Sequence, residues 1–174
     1  GAQVAVEEAT STPATSYTEG GTPTDLFTSS TPNDFSNNGN LVFTASNVKS
    51  GDTLDFTAWS SSVGARVLSS AVNQGTATGI ANVTYQVAVS GQTTTITFTG
   101  NGLTKAVKQL IFNAVTYFSS SDDIARAQPF SISVADNGSS VATSTLALSD
   151  VNDAPTLSVT CLLYTSPSPR DQRG

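Results

Sequence analysis

The chain contains no histidine and no methionine, and cysteine occurs once, at Cys161. Without histidine it lacks the commonest general base and the commonest ligand for transition metals. Nucleophilic schemes are left with paired carboxylates or a Ser–Lys arrangement, and no motif gathers such groups. Asp52 and Asp55 are close in sequence, but on a strand their three-residue spacing points them to opposite faces. The residues therefore predict a protein that is not an enzyme. Only 11% of the 174 residues are charged and 7% are aromatic. No apolar run reaches the length of a membrane span. The scarce charge is mostly acidic, 13 Asp and Glu against 7 Lys and Arg. An acidic surface poor in lysine does not neutralise phosphates, so nucleic acid is not an expected partner. Carboxylates do suit hard divalent cations, which take oxygen ligands. The missing methionine leads to the expectation that the chain starts inside a longer protein.

What fills the sequence is Thr, Ser, Asn, Gly and Val. Thr and Val favour strands, and Ser, Asn and Gly favour turns, as in extracellular β-proteins. Residues 1–22 are small and polar with weak periodicity and read as a linker or the end of a preceding repeat. From residue 23 to 158 short strands alternate with turn clusters. Leu41–Ala45 and Thr53–Trp59 read as strands, with Leu54 and Phe56 on one face, and Arg66–Leu68 is a weaker candidate. Val83, Tyr85, Val87 and Val89 alternate with polar residues, Ser90–Gln92 turns the chain, and Thr94, Ile96 and Phe98 return inside. Phe130, Ile132 and Val134 line one further strand, Val141–Leu148 forms another, and Asn137–Gly138 between them is a tight-turn signal. Leu103, Ala106, Val107, Leu110 and Ile111 recur at helical spacing, which predicts one short helix around residues 103–112 with these residues as its core face. Strands at this spacing with one helix predict an all-β Greek-key sandwich.

Cys161 to Asp171 reads Cys-Leu-Leu-Tyr-Thr-Ser-Pro-Ser-Pro-Arg-Asp. This stretch resembles the translation of a sequencing-library adapter, and Gln172–Gly174 resembles the index bases that follow. Residues 159–174 are thus expected to be a non-native tail, and Cys161 with them.

Near the end of the natural sequence, Val134-Ala-Asp-Asn-Gly-Ser-Ser140 precedes a strand and then Asp150-Val-Asn-Asp-Ala-Pro-Thr-Leu157. This resembles the close of a cadherin repeat, and most closely the cadherin-like tandem repeats of large bacterial surface adhesins. Tyr17-Thr-Glu-Gly-Gly21 resembles the opening strand with its glutamate, and Ser50-Gly-Asp-Thr-Leu54 the Gly-Asp turn. Leu110–Tyr117, followed by Asp122, Asp123 and Arg126, resembles the helix, strand and acidic turn before the penultimate strand. The resemblance covers residues 15–158. It implies a cadherin- or immunoglobulin-like sandwich, extracellular or attached to the cell surface, binding Ca²⁺ between successive repeats. Asp150, Asn152, Asp153 and Glu19 would serve the junction below, Asp122 or Asp123 would contribute there, and Asp136 would serve the junction above. Ala154 stands where cadherins place a further Asn, and Asn33–Asp34 is the nearest match to their upper acidic pair.

The chemistry of that motif is plain. Ca²⁺ takes about six to eight oxygen ligands. Asp150, Asn152 and Asp153 supply carboxylate and amide oxygens within four residues, and Pro155 stiffens the exit. Duller readings stand beside it. Asp136-Asn-Gly138 serves equally as a hairpin turn, Asp150–Pro155 as a plain inter-domain turn, and Asp122–Asp123 as a solvated loop. Trp59 has a place in the core, at its rim, or against a sugar ring. The expected function is therefore adhesion or rigid spacing, with neighbouring repeats, cell-surface proteins or glycans as partners. A carbohydrate-binding sandwich of a secreted protein is the alternative.

Overall fold

The alternating segments pair as their patterns require. The computed structural model describes residues 14–27, 29–69 and 75–151. In chain order its elements are β1 (Ser16–Thr18), β2 (Thr24–Asp25), β3 (Asn40–Ser46), β4 (Asp52–Asp55), β5 (Ala65–Val67), β6 (Thr84–Ser90), β7 (Thr93–Thr99), α1 (Lys105–Ala114), β8 (Thr116–Ser119), β9 (Phe130–Asp136) and β10 (Ser139–Ser149). They form a six-stranded sheet ordered β1-β10-β9-β3-β7-β6 and a four-stranded sheet ordered β2-β8-β4-β5. An all-β sandwich with one short helix is the result. Only β4–β5, β6–β7 and β9–β10 pair strands consecutive in sequence; every other pairing joins distant strands, as in interleaved sandwiches.

Both long hairpins turn as their residues dictate. Asn137 and Gly138 take φ of 51° and 87°, the two positive values of a type I′ turn. Gly91, first of the two residues between β6 and β7, takes φ of 61°. Along β9, Phe130, Ile132 and Val134 are buried and alternate with half-exposed Ser131, Ser133 and Ala135. The same period appears in β7, where Thr94, Ile96 and Phe98 face in.

Phe98 is the hub of the core. Its ring lies 5.4 Å from Phe56, 5.6 Å from Trp59, and 6.0 Å from both Phe43 and Tyr85. Trp59 is half-buried at the rim of this cluster. A second cluster joins Tyr17, Tyr117 and Phe130. A third stacks Phe27 on Phe112 of α1, with Phe35 at the edge.

Three expectations are corrected. Residues 1–22 do not form a linker throughout: β1 pairs in parallel with β10, Ser16 opposite Ala147 and Thr18 opposite Ser149, and Tyr17 is buried. A strand of three residues carries no periodicity, and only the resemblance of Tyr17–Gly21 to an opening strand pointed to it. The strand over Thr53–Trp59 ends at Asp55, whose Oδ1 accepts hydrogen bonds from the Thr57 N–H and hydroxyl and turns the chain. The helix begins two residues later than expected, because the Thr104 hydroxyl accepts from Val107 N at 3.2 Å and caps it there. Its inward face is Lys108, Ile111 and Phe112, with Val107 partly buried against the core, while Leu110 is 51% exposed and Ala106 also faces water. Leu103 is buried, but in the segment ahead of the helix. Residues 1–13 and 159–174 lie outside the described residues.

Candidate functional site

Because β1 and β10 run parallel, both end at the same pole of the sandwich. Glu19, just past β1, donates its N–H to Ser149 O at 2.9 Å. Its Oε1 accepts from Val151 N at 2.8 Å. Asp150, just past β10, accepts from Ile124 N at 2.7 Å and Ala125 N at 3.2 Å, both on Oδ1. In the same loop Asp123 meets Lys49 Nζ at 3.1 Å, and that ammonium also donates to Ala125 O. Asp122 is exposed beside it. The fold thus gathers Glu19, Asp150 and the 122–125 loop at one end, although the first and last lie far apart in sequence. Asn152 and Asp153 lie outside the described residues. Among the described residues no three acidic, His or Cys side chains form a group able to hold a metal ion.

The Ile124 N–H, and secondarily the Ala125 N–H, hold the Asp150 carboxyl below its ordinary range. A carboxylate whose folded pKa is depressed stabilises the fold above its unfolded pKa, and the contribution disappears as pH falls through the folded value. Asp150→Asn is therefore expected to melt lower than the parent near neutral pH, with the gap closing in strong acid. Thermal melts of both chains across the acid range check this; a gap that persists unchanged at the lowest pH would contradict it.

Asp136 sits at the opposite pole, where β9 turns into β10. Its carboxylate is already satisfied from inside the protein. Lys108 Nζ lies 2.5 Å from Oδ1, Ser36 Oγ donates to Oδ1 at 3.0 Å, and Ser36 N donates to Oδ2 at 2.7 Å. The expected place for a cation is filled by a lysine ammonium that is itself fully buried and also donates to Asn38 O. Asp34, from the nearest match to an upper acidic pair, caps the short 3-10 turn Pro32–Asp34 by accepting from Thr31 N.

Among the described residues a buried ion pair joins Asp52, read from the sequence as part of a Gly-Asp turn, to Arg126, read as following the acidic turn. Asp52 is fully buried and accepts four hydrogen bonds. Arg126 holds it with both terminal nitrogens, Nη1–Oδ2 at 2.5 Å and Nη2–Oδ1 at 2.9 Å. Tyr117 Oη donates to Oδ1 at 2.6 Å and Lys49 N to Oδ2 at 2.8 Å. Burial, followed by Asp52, pushes the Tyr117 phenol far above its usual range. Burial would lower the Arg126 pKa, but the hydrogen bond and charge of Asp52 outweigh it and raise the value. Arg126 Nε also donates to Ile124 O, the residue whose N–H holds Asp150. The buried pair thus sits directly behind the acidic pole and fixes the loop that carries it. A cleft of about 250 Å³ opens beside this loop, between Asn47, Gln92, Arg126 and Gln128.

Among the described residues the exposed large apolar side chains are Val67, Leu110 and Val151. None is aromatic, and Trp59 turns its ring edge-on to Phe98. No described helix is long and apolar enough to cross a membrane. Fold and site together define a β-sandwich module with an acidic, hydrogen-bonded pole. No protein-family model, curated protein or solved structure matches the chain.

Proposed function

We propose that this chain is a cadherin-like module of a large extracellular protein, acting in adhesion or as a rigid spacer and without catalytic activity. Calcium would bind at the junction with the next repeat. One observation carries the reading: the parallel β1–β10 pair sets Glu19 beside Asp150 and Val151, where the chain continues into Asn152, Asp153 and Pro155. A hard cation wants several oxygens at once. Glu19, Asp150, Asn152 and Asp153 are chemically suited to that role, with Asp122 or Asp123 from the adjoining loop and the remaining oxygens from the neighbouring repeat. Calcium would neutralise carboxylates that otherwise repel across the junction, and so stiffen it. Asp136, bound by Lys108, takes no part.

A protein carrying residues 1–159 twice in tandem tests the reading, since one module offers half of each junction. Ligand that binds only the folded form raises the melting temperature once it exceeds its dissociation constant. Millimolar calcium is expected to raise the melt relative to chelator, and Asp150→Ala with Asp153→Ala to abolish the shift. An identical melt with and without calcium would leave Asp150–Pro155 a simple linker turn.

A further inference from the structure

Lys108 is an unusual residue to find with no exposed surface, because lysine is almost never fully buried unless paired. Its partner is a carboxylate that is itself 9% exposed, at the end of the central strand β9. We propose that Lys108 and Asp136 become joined by an intramolecular amide bond once the chain has folded.

The reacting groups are already assembled. Nζ lies 2.5 Å from Oδ1, so the carboxyl carbon is one bond beyond the contact. Ser36 Oγ accepts from Nζ at 3.4 Å and donates to Oδ1 at 3.0 Å, a path along which a proton passes from the ammonium to the carboxylate. Asn137 Nδ2 holds that hydroxyl in place by donating to it at 2.7 Å. The neutral amine then attacks Cγ with its lone pair and a C–N bond forms; the nitrogen passes a second proton to the departing hydroxyl, the C–O bond breaks, and one water leaves. Ammonium plus carboxylate gives amide plus water, so atoms and charge balance without any further reagent.

Two physical terms favour the product. Groups held in register react with effective molarities of about 10⁵–10⁸ M, which offsets the preference of amines and acids to stay apart in water. The reaction also converts two buried charges, each costly to desolvate, into one neutral amide. The other ion pairs among the described residues lack these conditions. Lys49–Asp123 is solvated, with the Asp123 side chain 77% exposed, and Arg126 offers a delocalised guanidinium in place of an amine. The bond would tie α1 to the β9–β10 hairpin in a chain whose single cysteine leaves no internal disulfide.

Mass measurement on the denatured full chain decides the matter, because a salt bridge does not survive denaturation. The folded and aged protein is expected to be one water lighter than its sequence. Digestion is expected to release a branched peptide joining the Lys108 and Asp136 segments, and Lys108→Arg and Asp136→Ala should both return to full mass. Ser36→Ala should slow the conversion, and an unchanged rate would overturn the relay. Full sequence mass in the parent chain would overturn the bond, whatever the variants do. So would loss of water without a branched peptide, since Asp136 could then have cyclised onto its own backbone.

Discussion

Arg126→Met is expected to destabilise the sandwich by about 3–5 kcal/mol, the range found when one member of a buried ion pair is removed. The reason is the carboxylate left behind. Asp52 has no exposed surface and would keep only Tyr117 Oη and Lys49 N as donors. Two of its four hydrogen bonds, both charge-assisted, would be gone. The damage should also spread, because Arg126 bonds Asn47 O and Ile124 O and so joins the turn before β4 to the loop before β9. Replacing both partners, Arg126→Met with Asp52→Leu, should cost less than the single change, since no charge is then stranded. Urea unfolding of the single and double variants measures the coupling directly. A single variant within 1 kcal/mol of the parent would mean that water reaches Asp52 and the pair is not a lock.

Phe98→Ala should cost a similar amount, about 3–5 kcal/mol, through lost burial and the cavity left behind. Phe98 is fully buried on β7 and meets four other aromatic rings, Phe43 and Tyr85 of its own sheet and Phe56 and Trp59 of the segment after β4. Phe43 and Tyr85 stand on strands pinned to β7 by backbone hydrogen bonds and cannot close in freely. Trp59 meets Phe98 edge-on, so its fluorescence should shift toward that of a solvated indole in the same variant. Leu110→Ala provides the contrast. Helical spacing alone would make Leu110 a core residue, yet half of it is exposed, and its truncation should change stability by no more than about 0.5 kcal/mol. Equal losses at Phe98 and Leu110 would show that the helix packs with a different face inward.

The sequence by itself determined the elements whose signal is local. Alternation in Thr84–Ser90, Thr93–Thr99 and Phe130–Asp136 follows from the two-residue period of a strand, and that period is fully visible along the chain. Asn137–Gly138 announces its turn because few other residue pairs accept two positive φ values. The concentration of oxygen ligands in Asp150–Pro155 is likewise written in consecutive residues. Only the tertiary structure decided which carboxylates are occupied and by what. Asp52 meets Arg126 across 74 residues, Asp136 meets Lys108 across 28, and Glu19 meets Val151 across 132. Such pairings depend on strand order, and strand order comes from which apolar faces pack together. Lys108 shows the point most directly. On the helical pattern it belongs outside, and it lies inside, where a carboxylate from a distant hairpin pairs with it. Periodicity encodes faces, while the partner that makes a buried charge tolerable is supplied by the rest of the fold.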